Sequence, residues 1–112
     1  VYVGNLNAKN DFLDIQDAVR AYWLASEKCK FGEPYNVCSQ KVKSMRWVLD
    51  TLIGLSTVKN IKVVIDPSRV RPLDVAVHVG DYSKFKKQTG WQPKVPLEKT
   101  LENVLNYWRK LV

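Results

Sequence analysis

Residues 61–74 read Ile61-Lys62-Val63-Val64-Ile65-Asp66-Pro67-Ser68-Arg69-Val70-Arg71-Pro72-Leu73-Asp74 and join the clearest strand of the chain to a polar loop. The run 61–65 is nearly all β-branched and apolar, which predicts a buried strand of the kind found in parallel sheets. The Arg71 guanidinium could bind a phosphate through two parallel hydrogen bonds, with Pro72 holding the backbone of Arg71 extended. Asp74 is an acceptor suited to the paired hydroxyls of a ribose. A solvated loop beside a strand is the competing interpretation, and these residues alone favour neither.

Apolar residues at helical spacing predict three main helices. Asp14 and Ser44 are the expected N-caps of the first two, Gly32 follows the end of the first, and Pro96 opens the third. The predicted inner faces are Ile15, Ala18, Val19, Tyr22 and Trp23; Met45, Val48, Leu49, Leu52 and Leu55; and Leu97, Leu101, Val104, Leu105, Trp108 and Leu111.

Short extended segments and one small helix complete the predicted elements. Asp81 should cap the small helix Tyr82–Gln88, which Gly90 ends. We expect short strands or extended segments at Val1–Leu6 and Phe12-Leu13 around a polar loop 7–10, a brief strand at Tyr35–Cys38 and a short extended segment at Val75–Val79. This order predicts an α/β fold in which a small mixed sheet packs with three main helices.

Composition narrows the class of protein. The 112 residues suit one domain, and no run approaches the roughly 20 apolar residues that span a membrane. The net charge of +7 favours anionic partners, but the lysines are dispersed, so nucleic acid is an unlikely one. The first residue is Val1 and strand-like residues follow at once, so we expect the chain to be part of a longer one.

Cysteine and histidine usage argues against metal or thiol chemistry. Cys29 and Cys38 lie nine residues apart with no Cys-x-x-Cys pair, which excludes the usual zinc and thioredoxin-like patterns. We therefore expect two reduced thiols in a cytoplasmic protein. His78, the only histidine, lies in an apolar stretch and is interpreted as structural or surface-exposed.

Several motifs, distributed over essentially the whole chain, carry a resemblance to a known family. They are Gly4-Asn5-Leu6-Asn7-Ala8-Lys9-Asn10-Asp11-Phe12, Asp14 to Trp23, Tyr35-Asn36-Val37-Cys38-Ser39, Arg69 to Asp74, Gly80 to Lys84, and Thr89-Gly90-Trp91-Gln92-Pro93. Together they resemble the C-terminal, substrate-binding part of an extended short-chain dehydrogenase/reductase that acts on nucleotide sugars. The most similar groups are the GDP-mannose 4,6-dehydratases and the related GDP-4-keto-6-deoxymannose reductases.

The resemblance implies a set of substrate-binding residues. The residues matching Arg71 and Asp74 contact the nucleotide part of the sugar nucleotide in that family. Asn5 and Leu6 match the segment beside the base and diphosphate, with a plain structural strand as the competing view. Asn10 stands where the family usually has a diphosphate-binding arginine, so a charge-assisted contact is lost. Either binding is weaker here or another cation, such as Lys9, substitutes.

The same resemblance implies that a part of the parent enzyme is missing from these residues. The Gly-rich strand-to-helix turn of an NADP-binding Rossmann domain is absent, so residues 1–112 form one nucleotide-sugar-binding domain and NADP belongs to the parent. Tyr82 and Lys86 have the spacing of the family's catalytic pair but match a peripheral helix, so we predict no catalytic residue. The parent would oxidise a sugar C4 hydroxyl with NADP, eliminate water across C5 and C6, and return the hydride.

Three functional hypotheses follow. The first is a GDP-mannose-binding portion, inactive alone, of an NADP-dependent dehydratase-like enzyme, whose partners are a GDP-sugar and the missing Rossmann domain. The second replaces the parent with a reductase or another nucleotide-sugar epimerase or dehydratase. The third is a stand-alone basic binding module without a sugar ligand. An uncovered domain face should also promote self-association; Trp23 and Trp47 are candidates for it, although a core position is favoured for Trp23.

Overall fold

The fold comes from a computed structural model, which describes residues 1–71 and 77–112. The strands in this part of the chain are β1 (Tyr2–Val3), β2 (Lys9–Asp11), β3 (Val42–Ser44), β4 (Val64–Ile65) and β5 (Val77–His78). The helices are α1 (Ile15–Lys28), α2 (Met45–Leu55), α3 (Ser83–Thr89) and α4 (Leu97–Leu111), and a 3₁₀ turn, Pro67–Arg69, follows β4.

The strands form two small sheets. β1 and β4 pair in parallel, while β2 lies between β3 and β5, antiparallel to the first and parallel to the second. Together with the three main helices α1, α2 and α4 and the small helix α3, this arrangement confirms the predicted α/β fold with a small mixed sheet.

Most local capping signals are confirmed. The Asp14 carboxylate accepts a hydrogen bond from Gln16 N at 2.8 Å, and the Ser44 hydroxyl accepts one from Trp47 N at 3.1 Å. Gly90 ends α3 with a left-handed φ of 77°, which a residue without Cβ adopts freely. The predicted Asp81 cap is wrong: Asp81 accepts from Ser83 N at 2.8 Å, but α3 begins at Ser83 with Tyr82 as its N-cap and has no side-chain capping bond.

Several strand predictions are wrong. Strand β1 covers only two residues of the predicted 1–6 segment, and neither 12–13 nor 35–38 is a strand. The predicted polar loop 7–10 instead contains most of β2, because backbone pairing on both sides outweighs the polarity of Lys9-Asn10-Asp11. Residues 77–78 of the predicted 75–79 segment form β5; Val75 and Ala76 lie outside the described residues.

The clearest predicted strand is also shorter and more exposed than expected. Only Val64–Ile65 of 61–65 is a strand, and Val63, Val64 and Ile65 are 37%, 45% and 53% exposed. The prediction of burial is therefore wrong. In the described part of the chain β4 pairs with β1 alone, so little of the protein covers its side chains.

The buried core lies between α1, α3 and the segment before α4. Ala21, Phe85 and Trp91 form it, and the Phe85 and Trp91 rings meet edge to face with centroids 5.5 Å apart. The indole N–H of Trp91 donates to the carbonyl of Asp17 at 3.0 Å. Ring packing therefore holds the apolar part of the side chain, and this hydrogen bond holds its polar group. We call this cluster the Trp91 core.

The face of α1 that was predicted to be buried is largely exposed to solvent. Ile15, Val19, Tyr22 and Trp23 are 71%, 58%, 71% and 66% exposed, so the core position favoured for Trp23 is wrong. The helix instead turns Asp17 and Ala21 inward, with Leu24 and Ala25 beside them. Both stripes have helical periodicity, so spacing alone could not distinguish them.

Helices α2 and α4 bury their predicted stripes only in part. No residue of α2 is fully buried, and on α4 Leu97, Leu101 and Leu105 are half-buried while Val104, Trp108 and Leu111 are exposed. The two helices contact each other, and Arg109 donates to the carbonyl of Leu55 at 2.8 Å.

The whole fold is open for its length. Its radius of gyration is 16.9 Å, whereas a compact domain of this size has about 13 Å. Its accessible surface is 8525 Å², whereas a folded monomer of this mass exposes about 6,300 Å². Both values agree with the uncovered apolar face of α1.

Candidate functional site

The loop after β4 is ordered by its own short-range hydrogen bonds as far as Val70. The Asp66 carboxylate accepts from Ser68 N at 3.0 Å and from the Ser68 hydroxyl at 2.7 Å. These bonds, the hydroxyl one first, lower the pKa of Asp66 below its usual value. Arg69 lies 3.5 Å from Asp66 through its Nε, so one of the two loop arginines is used within the loop.

Arg71, the other loop arginine, is exposed to solvent at the end of this ordered turn. Its predicted partner Asp74 lies outside the described residues, in the stretch 72–76. The paired Arg71–Asp74 site therefore stays a prediction.

The Asn5-Leu6 segment lies against the same loop. A Cβ built on Gly4 would lie 2.5 Å from the carbonyl oxygen of Arg69, so only glycine allows this approach of the two backbones. Asn5 accepts from Asn7 N at 3.0 Å and closes a tight turn, while Leu6 is 6% exposed and its carbonyl accepts from Arg46 N. Leu6 thus has a structural position, and Asn5 stands next to the loop that carries Arg71.

Asn10 lies on a concave surface near the end of β5. This cavity has a volume of about 230 Å³ and is lined by Asn10, Asp11, His78, Val79 and Gly80. Asn10 and His78 are directly opposite each other in the parallel pairing of β2 with β5. We call this the Asn10–His78 cavity. It brings together a predicted site residue and a histidine that was interpreted as structural.

Asp11 holds the walls of this cavity in place. Its carboxylate accepts from Ser39 N at 2.7 Å and from the Ser39 hydroxyl, from Gln40 N at 2.8 Å and from Gly80 N at 3.3 Å. Gly80 also packs so closely that an added Cβ would lie 2.7 Å from the Cys38 sulfur. Burial and the nearby Asp11 carboxylate raise the pKa of the Cys38 thiol. Cys38 is therefore a packing residue rather than a nucleophile.

Asp17 fixes the first turn of α1, and the pKa of its carboxyl reflects that role. It is 2% exposed and accepts from Lys94 N and Val95 N at 3.0 Å each and from Arg20 Nη2 at 2.9 Å. Burial would raise the pKa of this carboxyl, but the hydrogen bonds from Val95, Arg20 and Lys94 together outweigh burial and lower it. The carboxylate ties α1 to the segment that leads into α4.

A second, larger cavity lies away from the loop of Arg71. It has a volume of about 460 Å³, and Lys41, Lys43 and Lys94 line it together with Phe12 and Tyr82. We call it the lysine cavity. Its cationic lining suits an anion, although Glu98 on its wall and the contact of Lys43 with the Trp47 ring at 4.6 Å reduce its positive field.

Tyr82 and Lys86 have positions that suit structural roles. Tyr82 packs edge-on against Trp91 with ring centroids 5.3 Å apart, and its carbonyl accepts from Lys86 N in the first turn of α3. The tyrosine thus belongs to the rim of the Trp91 core, and the interpretation of this pair as non-catalytic stays a prediction.

The N-termini of α1 and α2 are poorly suited to a dinucleotide pyrophosphate. Such a group binds the free N–H groups at a helix N-terminus, but the Asp14 carboxylate already occupies that position on α1 and would repel it. The N-terminus of α2 is capped by Ser44 in the same way. No group of residues able to hold a metal ion, and no helix long and apolar enough to cross a membrane, occurs in 1–71 and 77–112.

Solved structures identify the class of fold. The chain superposes over its whole length, with a TM-score of 0.92 and 28% identity, on a structure described as RMD from Pseudomonas aeruginosa complexed with NADPH, and it covers 36% of that chain. A UDP-glucose 4-epimerase from Thermotoga maritima, solved with UDP-glucose, matches 99% of the chain with a TM-score of 0.87 and 30% identity, and 35% of the epimerase chain is covered. The fold is therefore that of one part of an extended short-chain dehydrogenase/reductase.

Sequence comparison identifies the family. The family model described as GDP-mannose 4,6 dehydratase matches residues 1–104, and the chain belongs to that family. GDP-6-deoxy-D-mannose reductase of Pseudomonas aeruginosa is 30% identical over 98% of the chain, and GDP-mannose 4,6 dehydratase 1 of Arabidopsis thaliana is 30% identical over 95%. The chain spans 36% and 29% of these two relatives, about a third of their length.

Two residues that line the Asn10–His78 cavity, His78 and Asp11, were not predicted from the sequence as part of a site. His78 was judged from its apolar neighbours along the chain, whereas its position beside Asn10 depends on the pairing of β2 with β5. Asp11 follows Asn10 directly, and an acidic residue beside a predicted binding residue was a signal that could have suggested a supporting role.

Proposed function

We propose that this chain is the nucleotide-sugar-binding portion of an NADP-dependent enzyme acting on a GDP-linked mannose-type sugar. The observation that carries the proposal is the family match over residues 1–104, combined with the convergence of Asn5 and Arg71 on neighbouring loops and of Asn10 on an open cavity. Arg71 and Asp74 would hold the nucleotide, and Asn5, Leu6 and Asn10 would border the base and diphosphate. A bidentate Arg–phosphate contact gives such a site both affinity and orientation.

The chain alone would bind without catalysing a reaction. The parent would oxidise the C4 hydroxyl of the sugar with NADP, remove water across C5 and C6 and return the hydride; in a reductase parent, the hydride would instead reduce a 4-keto sugar. Contacts made here to the remote GDP end would position the sugar for that chemistry. Because the reductase and dehydratase relatives are each 30% identical to the chain, the proposal names the substrate class they share.

The proposal also includes a surface of α1 that contacts another domain of the parent. The exposed Ile15, Val19 and Trp23 lie at intervals of four residues along one side of α1. The accessible surface exceeds that of a compact monomer by about 2,200 Å², an area sufficient for an interface between domains. We assign this face to contact with the NADP-binding domain of the parent. Cys29 and Cys38, both free thiols, are consistent with the reducing cytoplasm as the place of action.

Titration of the 112-residue chain with GDP-mannose, followed by NMR because binding to half a pocket should be weak, tests the proposal. Arg71→Ala should weaken binding by about tenfold, since it removes a charge-assisted contact. Lys110→Ala, which removes one exposed positive charge from the last turn of α4, should leave binding unchanged. Equal affinity of the Arg71→Ala variant and the unaltered chain would remove Arg71 from the site.

A stand-alone anion-binding module is the second candidate, and the lysine cavity favours it. Thermal-shift measurements with GDP-mannose, UDP and a duplex oligonucleotide separate the two functions. Stabilisation by the oligonucleotide that falls steeply with salt, with none by GDP-mannose, would support the module. Stabilisation by GDP-mannose that Lys94→Ala leaves unchanged would support the nucleotide-sugar site.

A further inference from the structure

Among the residues that line the Asn10–His78 cavity, His78 is the only one whose side chain can carry a positive charge. In paired strands, residues directly opposite each other project to the same face of the sheet, and Asn10 is opposite His78. Both residues line the cavity, and the end of β5 leaves Val79 and Gly80 as its floor. A neutral amide and an imidazole are thus placed side by side at an open concave surface.

Lys9, the substitute cation suggested by the sequence, is placed differently. It precedes Asn10 in β2, so the pleat turns its side chain to the opposite face. It is opposite Val77 in the pairing with β5 and does not line the cavity. The fold therefore separates Lys9 from Asn10 and brings His78 next to it.

We propose that His78 contacts the diphosphate of the nucleotide sugar beside Asn10 and that its protonation strengthens binding. The inference rests on the proposed function for the identity of the ligand. Histidine is the side chain that gains a positive charge between about pH 8 and pH 5, and a charged donor to phosphate makes a stronger hydrogen bond than a neutral one. Affinity for GDP-mannose should therefore rise as the pH falls through this range.

Among the described residues, two charged groups on the neighbouring strands of the sheet are engaged with other partners. On β2 the Asp11 carboxylate is engaged by Ser39, Gln40 and Gly80, and on β3 Lys43 is opposite Asn10 and contacts the Trp47 ring.

Two further titratable groups adjoin Gly80 and have other neighbours. The Cys38 thiol packs against Gly80, and the Asp81 carboxylate accepts from Ser83. Arg71 precedes β5 in the chain, and Asp74 lies outside the described residues.

The test is an NMR titration of the 112-residue chain with GDP-mannose at about pH 6 and about pH 8. The diphosphate is esterified at both ends and keeps its charge over this range, so a pH effect arises from the protein. We expect about tenfold tighter binding at the lower pH. Because His78 is the only histidine, its imidazole protons give an isolated signal, whose titration curve should move to higher pH when GDP-mannose is bound.

Three variants complete the test. His78→Gln should bind about equally at both pH values and about tenfold more weakly than the unaltered chain at about pH 6. His78→Arg should bind well at both pH values, because its charge persists. Lys110→Gln, a matched loss of one exposed charge on α4, should keep the full pH dependence.

The possible failures are distinguishable. If the unaltered chain binds GDP-mannose and Arg71→Ala weakens it, but His78→Gln keeps the pH dependence, the role of His78 is refuted and the proposed function stands. If the unaltered chain shows no binding at either pH, the proposed function fails and the role of His78 fails with it.

Discussion

The Trp91 core and the loop after β4 are opposite kinds of structure within one short chain. Phe85 and Trp91 have at most 1% of their surface exposed and are fixed by ring packing and a buried indole hydrogen bond. The loop 66–71 is held by short-range bonds to Asp66 and Pro67, and its arginines and the adjoining strand β4 are exposed. The chain supplies the stability of the first region itself, whereas the second presents polar groups to solvent.

The largest expected change in stability comes from truncating a side chain of the Trp91 core. Trp91→Ala should lower the free energy of unfolding by about 3–5 kcal/mol, because it removes a buried ring and its hydrogen bond to Asp17. Trp23→Ala is the matched control: the same side chain is 66% exposed, so stability should change by about 0.5 kcal/mol or less. Urea unfolding of both variants checks the prediction, and similar losses would contradict the assignment of inner and outer faces of α1.

A second prediction concerns Asp17. Because the pKa of its carboxyl is lowered on folding, it adds stability above the usual value of 3.8 that is lost as the pH falls through the lower folded value. The free energy of unfolding should therefore fall below about pH 4 in the unaltered chain and fall less steeply in Asp17→Asn. At neutral pH the variant should lose about 1–3 kcal/mol, since two backbone donors and Arg20 lose a charged acceptor. Identical pH profiles would refute the role of Asp17.

The close approach of Gly4 to the loop gives a third, smaller effect. Gly4→Ala places a Cβ 2.5 Å from a backbone oxygen of Arg69, so the loop must move, at a cost of about 1–3 kcal/mol. The same change should weaken GDP-mannose binding, because Arg71 follows Arg69. Gly54→Ala, in α2 with open space around it, should instead stabilise the chain by about 1 kcal/mol. Thermal unfolding and ligand titration of both variants measure the contrast.

The smallest effect on stability is expected on the outer face of α1. Val19→Lys should change the free energy of unfolding by no more than about 0.5 kcal/mol, because Val19 is 58% exposed. The same substitution should reduce self-association of the isolated chain, which an uncovered apolar face promotes. Light scattering at increasing concentration checks this; a clean monomer in the unaltered chain would contradict the interpretation of this face.

The sequence predicted what depends on near neighbours. The caps Asp14 and Ser44 and the stop at Gly90 follow from hydrogen bonds within a few residues, so helix positions were largely right. The buried side of α1 was wrong, because Trp91 and the segment 94–95 select Asp17 and Ala21 over the more apolar stripe. Strand β2 was missed because its two neighbouring strands, rather than its polar residues, decide its conformation.

The same distinction applies to the site. Asn10 could be proposed from its local motif, and it lies on a cavity, although its role in binding stays a prediction. The position of His78 beside Asn10 could not be predicted in this way, because the parallel pairing of β2 and β5 brings together residues far apart in the chain.

Backbone amide shifts of the labelled 112-residue chain during titration with GDP-mannose test the central claim most directly. The account predicts saturable shifts at Asn5, Asn10, Arg71 and His78, with the Trp91 core unchanged. Shifts confined to Lys41, Lys43 and Lys94, or no saturable shift anywhere, would contradict it.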